Sequence, residues 1–540
     1  MKKILIMRYL LFAAIFSLVG FASCNEEDDL GTPDRLFRPV VKETIIGITW
    51  INLKWDRYEG AESYELQLSV DSFLTIARET STDLTDYTFE DLGYDTQYQI
   101  RIRSLGDKIM SDYIQYTYST LKWPTKLKTP TTSDYVDTQI RVRWAEADYD
   151  RLDICTGKTD IEKTVNLTPE DNMVNENNEK SIIIKELEPS TAYIIKAYSE
   201  DEFMGEVAYN TLSPQIIEGD YIDLRSLSET DAYSALSQTN FNTWAAQYPN
   251  GFTVVLSGGT HYQISTVNLS ASLRLVTGLS LAGNAVMEDN GSFAVNADAN
   301  LDYVIFDNII ITEHPSSPRD AGNYGGRYVF NFNNAGAKIN ELSLLNCDIR
   351  YKRGVIRAQV ATLINKILVE NCLMDSIGGY GITNADHAES YFTNVIIKNS
   401  TIAHSEKFAV ASKPTVPPNS LVLENLTVCY TPKGDGNYII DYNSQSMPGG
   451  LTIKNCIFGA GWDSKVRGMR SSTTNITVQD SYMTNDLEWT LNTSNEPQNP
   501  IDALEVLNGT TTGIFADPQN VNFKVTHPTL AKRIGDPRWW

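Results

Sequence analysis

From residue 300 onward, apolar positions return at fixed offsets from a polar marker. The markers are Asn308, Asn346, Asn371, Asn399, Asn425, Asn455 and then Asp480, spaced 38, 25, 28, 26, 30 and 25 residues apart. Two residues before each stands Phe306, Leu344, Val369, Ile397, Leu423, Ile453 or Val478, and four before each Val304, Leu342, Ile367, Val395, Leu421, Leu451 or Ile476. Three residues after each come Ile311, Ile349, Met374, Ile402, Val428, Phe458 and Met483, so all 21 flanking positions are apolar. Such alternation turns one face of a strand inward. Asn and Asp tolerate left-handed backbone and bond it locally, so each marker predicts a bend. A period near 25 residues fits one coil of a parallel β-helix, with rungs about 4.8 Å apart. The markers then pile into a ladder of amides. Propeller blades and leucine-rich repeats carry other signatures.

The first half of the chain alternates differently. Ile48–Trp55 and Tyr64–Leu68 are short period-two runs divided by turns, the mark of antiparallel sandwiches. A Leu-to-Tyr segment of constant spacing occurs twice, at Leu92–Tyr98 and Leu187–Tyr193, each preceded by a core tryptophan, Trp55 or Trp144. These features resemble fibronectin type III modules, in which the last Tyr forms a corner by bonding back to backbone. The resemblance implies two tandem modules, 34–122 and 126–214, acting as a spacer. After a linker at 215–225, an amphipathic helix is expected near Ser228–Tyr248 as a cap on the first coil. The next segment, Gly251–Tyr262, resembles the opening coil of pectate-lyase-like proteins, and the resemblance implies a right-handed parallel β-helix over 225–540. The expected fold is therefore all-β: two sandwiches, a capping helix, and a helix of about eight to ten coils. The closing segment Phe515–Trp540 resembles that of β-helix modules in surface lipoproteins of pectin-type glycan-utilisation loci, with Trp539 and Trp540 expected to plug the last coil.

Charge and cysteines set the compartment. Lys2 and Lys3 precede an apolar stretch of signal-peptide length that ends at Cys24. Phe21-Ala22-Ser23-Cys24 resembles a bacterial lipobox, although Phe21 stands where Leu is usual. The resemblance implies a signal peptide over 1–23, lipid on Cys24 and an acidic tether over 24–33. The acidic run Asn25–Asp29 resembles the export tag of surface lipoproteins, which implies an outer-membrane protein exposed at the cell surface and held by its lipid anchor. The formal charge of −23 repels nucleic acid, and an anionic glycan needs a local basic patch. Cys155, Cys347, Cys372, Cys429 and Cys456 show no CxxC or zinc spacing, so no metal or cofactor is expected. Cys347, Cys372 and Cys456 each follow a marker and read as small fillers of a tight corner.

Candidate chemistry lies on the second short strand of each coil. With Phe330, Ile356, Ile382, Val410, Ile440 and Met469 aligned inward, the outward column reads Asn331, Arg357, Thr383, Ala411, Asp441, Arg470. Asn333, Gln359, Lys413 and Asn443 flank it, and Lys352 and Arg353 precede the Arg357 strand. A flat wall of polar groups at even rungs suits an extended glycan, and an Arg fork suits carboxylates. The expected ligand contacts are Asn331, Asn333, Lys352, Arg353, Arg357, Gln359, Asp441 and Arg470. The paired Asp residues and Gly-His-Gly of polygalacturonases are absent from the body, as are the Trp-Ile-Asp-His and Arg-x-Pro-x-x-Arg segments of pectate lyases. No catalytic set transfers. A lyase would take its base from Arg353, Arg357 or Arg470, with Ca²⁺ or another cation on the enolate. The five histidines are scattered along the sequence, with His314 and His387 in loops. The expected function is binding, or help in processing, of a plant-type polysaccharide of pectic kind, with outer-membrane glycan-import machinery as a partner. A polysaccharide lyase and an adhesin-like stalk are the alternatives.

Overall fold

The computed structural model describes residues 35–540 except 176–177, 318, 320–323, 444 and 528–532. The signal peptide, Cys24 and the tether lie outside the described residues. The chain divides into two compact units, one running through 126 and including 196–206, the other formed by 127–195 and 207–540.

In the first unit, strands Val41–Ile46, Ile51–Trp55 and Asp86–Phe89 form one sheet, and Arg78–Thr82, Ser63–Ser69, Gln97–Leu105 and Ile114–Ser119 form another. Ile51, Leu53 and Trp55 are buried while Lys54 faces out, as period two requires. Trp55 meets Tyr64 edge-on at 5.2 Å. The Tyr98 hydroxyl accepts the Gly93 N–H at 2.8 Å, which builds the expected corner. The second sandwich repeats the scheme. Trp144 is buried against Tyr149, and the Tyr193 hydroxyl accepts the Glu188 N–H at 2.9 Å. Both sandwiches are fibronectin type III-like.

The second sandwich is bonded directly to the coils that follow it. Gln139 Oε1 accepts the Leu281 N–H at 2.9 Å, and Arg141 donates to the Leu281 carbonyl at 2.7 Å. Tyr221–Asp223 already pairs in parallel with 253–255, so the β-helix opens at Tyr221 rather than at 225.

Three parallel sheets run along the helix, which makes about nine turns. Sheet A stacks Tyr221–Asp223, Phe252–Leu256, Leu273–Thr277, Asn300–Asp307, Ala337–Leu345 and Thr362–Glu370, and continues to Ile476–Gln479. Sheet B stacks His261–Ile264, Ala285–Asp289 and Ile309–Glu313, then the first parts of Asp348–Ala358 and Leu373–Ala385, and 401–405. Sheet C stacks Val267–Leu269, Phe293–Val295 and Tyr328–Phe332, then 354–358, 381–385, Ala409–Val410, Tyr438–Asp441 and Arg467–Arg470. The marker column turns the corner from sheet A to sheet B. All seven markers are left-handed, with φ from 46° at Asp480 to 57° at Asn308. Their amides chain upward: Asn371 donates to Asn346 at 2.6 Å, Asn425 to Asn399 at 2.7 Å, and Asn455 to Asn425 at 3.1 Å. Cys347, Cys372 and Cys456 are buried free thiols behind this ladder. Burial pushes the Cys456 thiol up to about 12 and the Cys347 thiol upward as well, which suits groups that fill space.

The cap is two short helices, Glu229–Ala235 and Gln238–Gln247, divided where Ser237 caps the second. Phe241 and Trp244 close the open coil against Phe293 and Phe252. The C-terminus departs from expectation. Trp539 donates to Thr401 at 2.7 Å and Arg538 to Asn371 at 3.3 Å, so the tail runs back along the outside of sheet B and does not plug the last coil. Apolar outward residues Ala403, Cys429 and Ile457 give Phe515, Phe523, Ile534 and Trp539 a place to bury.

Candidate functional site

The three outer faces differ in chemistry. Sheet A carries cross-rung ion pairs, Lys366–Glu341, Lys398–Glu370 and Lys454–Glu424, all partly exposed and of alternating sign. Such pairs contribute about 0–1 kcal/mol each and leave no net charge to attract a ligand. Sheet B is half covered by the C-terminal tail. Sheet C is left as the polar wall.

Its outward column is Asn331, Arg357, Asn384, Val410, Asp441, Arg470. Thr383 and Ala411 do not stand in it. Between Lys352↔Ile377 and Gly354↔Gly381 the upper strand gains two residues, and Gly381 takes φ +68°, which shifts the next coil by one. Thr383 therefore stacks with Ile356 on the inward row.

Lys352 is also corrected: it points into the core. Its Nζ lies 2.9 Å from Asp289 and 3.6 Å from Glu313, and all three side chains are 0% exposed. Tyr351 takes a left-handed φ of 56° and resets the alternation, so the residue after it turns inward.

Arg357 lies at the centre of the wall. Its Nη2 bonds Asp386 at 2.6 Å, and its Nη1 bonds the Tyr328 hydroxyl at 3.1 Å and Gln359 at 3.2 Å. The guanidinium sits 3.9 Å over the Tyr380 ring, and Arg353 lies over the same ring at 5.0 Å. Asn331 donates to Gln359 at 3.4 Å, and Asn333 is exposed beside it. Lys413 bonds Asp386 from the next coil. Burial raises the Asp386 carboxyl, but Lys413 and Arg357 outweigh it and hold the group below the usual carboxylate range. Arg357 and Lys413 share this one carboxylate and Arg353 lies over the adjoining Tyr380 ring, so the cluster is locally positive on a chain of charge −23.

Further along the wall the arrangement recurs. Arg470 binds Asp441 through two bonds of 2.8 Å and lies 4.8 Å over Tyr438, with Arg467 over the same ring at 5.3 Å. The sequence reading missed Tyr328, Tyr380, Asp386, Tyr438 and Arg467. A signal was present: Tyr328 and Tyr438 each open a strand three residues before Asn331 or Asp441. Arg357 and Arg470 both donate to carboxylates, a positioning arrangement that speaks against either as a catalytic base.

A second constellation lies at the corner between sheets B and C. Tyr351, Ser376, His404 and Tyr430 occupy it on four successive coils, all left-handed at φ 56°, 58°, 42° and 51°. Left-handed Tyr and His are uncommon, and such backbone gathers at functional sites. His404 Nδ1 is 2.8 Å from Asp375 Oδ1, and its ring stacks on Tyr430 at 4.8 Å. Nearer the cap, His261 Nδ1 is 2.7 Å from Glu288, and His314 Nε2 is 2.9 Å from the Tyr233 hydroxyl. Histidines scattered in sequence thus gather along sheet B. Among the described residues, no group of three or more His, Cys, Asp or Glu is arranged to hold a metal.

The sandwich region is similar to a two fibronectin type-III domain segment from chicken tenascin, at 16% identity over 32% of this chain and 98% of that one, with a TM-score of 0.17. It is also similar to the crystal structure of FN3tt, at 26% identity over 16% and 92%, TM-score 0.14. A third likeness is to the fn3 domain of human collagen alpha-1(XX), at 18% identity over 19% and 98%, TM-score 0.16. No curated protein matches the chain. Residues 259–405 match a family model described as a domain of unknown function (DUF4957), and residues 421–539 one described likewise (DUF5123).

Proposed function

We propose that this protein is a glycan-binding lipoprotein of the cell surface, and that sheet C of its β-helix is the recognition wall for a plant-type, uronate-bearing polysaccharide of pectic kind. One observation carries the reading: two Tyr–Arg–Asp clusters, at Tyr380–Arg357–Asp386 and Tyr438–Arg470–Asp441, stand on the same flat sheet. The half-buried Tyr380 ring offers apolar surface to sugar C–H groups, the buried Tyr438 ring holds its guanidiniums in place, and ion-paired Arg and Asp present fixed donors and acceptors to hydroxyls. Pre-formed pairs lose little side-chain entropy when a ligand arrives. The positive excess around Arg357 favours an acidic chain over a neutral one. The Cys24 segment supports the lipid anchor, and the sandwiches suit a spacer. A stalk alone has no use for two such clusters on one face.

Affinity electrophoresis tests this. Mature protein is expected to be retarded in gels containing polygalacturonate or rhamnogalacturonan, less so at raised salt, and to run freely through a neutral glucan. Equal mobility in all gels would refute the reading and leave the stalk.

A further inference from the structure

We propose that the Asp375–His404 pair is a proton-transfer centre acting on the bound glycan, separate from the sheet C wall. This rests on the uronate-bearing glycan of the preceding subsection. His404 Nδ1 is fixed on Asp375 Oδ1 at 2.8 Å, and Ser376 donates to Asp375 Oδ2 at 3.0 Å. In the tautomer that donates Nδ1–H to the carboxylate, the lone pair lies on Nε2. Among the described residues Nε2 has no protein partner, and the His404 side chain retains 14% exposure. Tyr430 stacks on the ring at 4.8 Å and Trp462 meets it edge-on at 5.7 Å, so the imidazole has one orientation. Its left-handed φ of 42° is the turn that Tyr351, Ser376 and Tyr430 share at this corner, and it fixes the backbone that carries the imidazole.

Arg350 stands in register with Asp375 on the adjacent rung. Asp348 holds its Nε at 2.7 Å and Nη2 at 2.9 Å, while Nη1 has no protein partner among the described residues. Burial, together with the charges of Asp375 and Glu406, pushes the Tyr324 hydroxyl up to about 12, which keeps that neighbour protonated.

The reaction this suits is β-elimination at a uronate. His404 Nε2 takes the C5 proton, the C5–H electrons form the C4=C5 bond, and the C4–O4 bond breaks. The imidazolium returns the same proton to the departing O4. Arg350 Nη1 neutralises the uronate carboxylate as charge develops on it. Atoms and charge balance with no co-reactant.

The test uses mature protein with polygalacturonate and rhamnogalacturonan, following unsaturated-uronide absorbance. The wild type is expected to generate that absorbance. His404→Asn, chosen because Asn accepts left-handed backbone, is expected to lower kcat by roughly 10²–10⁴-fold. KM and gel retardation should stay unchanged. Asp375→Asn, as a positioning change, should lower kcat with KM unchanged, and thermal melting checks that both variants are folded. Retarded wild type that releases no unsaturated product from either polymer would overturn the proton-transfer centre alone. Product formation that survives His404→Asn in folded protein would overturn it too. Protein neither retarded nor active would remove the binding reading and this inference together.

Discussion

Replacing Lys352 with Met is expected to destabilise the β-helix by roughly 3–5 kcal/mol at pH 8 and by much less at pH 5. Lys352 is the single ammonium between Asp289 and Glu313, and all three are 0% exposed. It also donates to the Thr312 carbonyl at 2.9 Å. Burial pushes the Asp289 carboxyl up to about 6 and Glu313 up to about 7, against the pull of Lys352 in the other direction. Both folded values stand above the unfolded ones near 4. Their stabilising protonated forms are therefore complete below pH 4 and are lost as pH rises through 6 and 7. In wild type the ammonium faces the charge that then develops. In Lys352→Met the buried ammonium is gone and Arg327 alone acts on Glu313, so the deficit opens on the alkaline side. Urea unfolding at the two pH values measures it. An equal loss at both would show that packing, and not charge, is what Lys352 supplies.

Truncating the wall's aromatic rings is expected to weaken glycan binding without unfolding the protein. Tyr380→Ala removes the ring beneath Arg357 and Arg353, and Tyr438→Ala the ring beneath Arg470 and Arg467. Each ring orients two guanidiniums, and the half-buried Tyr380 can also touch the sugar, so each loss should cost about 2 kcal/mol, roughly 30-fold in Kd. The two rings lie two rungs apart and share no partner, so the double variant should lose close to the sum. Calorimetry against an oligogalacturonide checks this. If either single variant binds as wild type, its cluster is not part of the site.

The ladder was legible because one residue type, at one backbone conformation, must recur wherever the coil turns. Asn346, Asn371, Asn399, Asn425 and Asn455 recur for that reason, and the apolar residues two and four before them follow from the strand period. The sandwich corners were legible for a similar reason, since Tyr98 and Tyr193 bond backbone five residues away. What failed was parity. A left-handed residue such as Tyr351 inverts the alternation, which placed Lys352 outside when it is inside. The two residues gained near Gly378 and Gly379 moved Thr383 out of the wall and Asn384 into it. Contacts across rungs were beyond reach as well. Asp375 and His404 are 29 residues apart, and only the stacking of coils brings them to 2.8 Å. Arg357 was found as an outward residue, but the partners that fix it, Tyr380 and Asp386, come from the next coil. Trp539 was read by its position at the chain end, whereas the apolar outward patch at Ala403 and Ile457 decides where it packs.

Hydroxyl-radical footprinting of mature protein with and without polygalacturonate asks where the sugar lies. The account predicts that oxidation falls at the half-buried Tyr380 and stays unchanged at the exposed sandwich residues Phe37 and Leu74. Protection confined to the sandwiches, with Tyr380 oxidised as before, would contradict it.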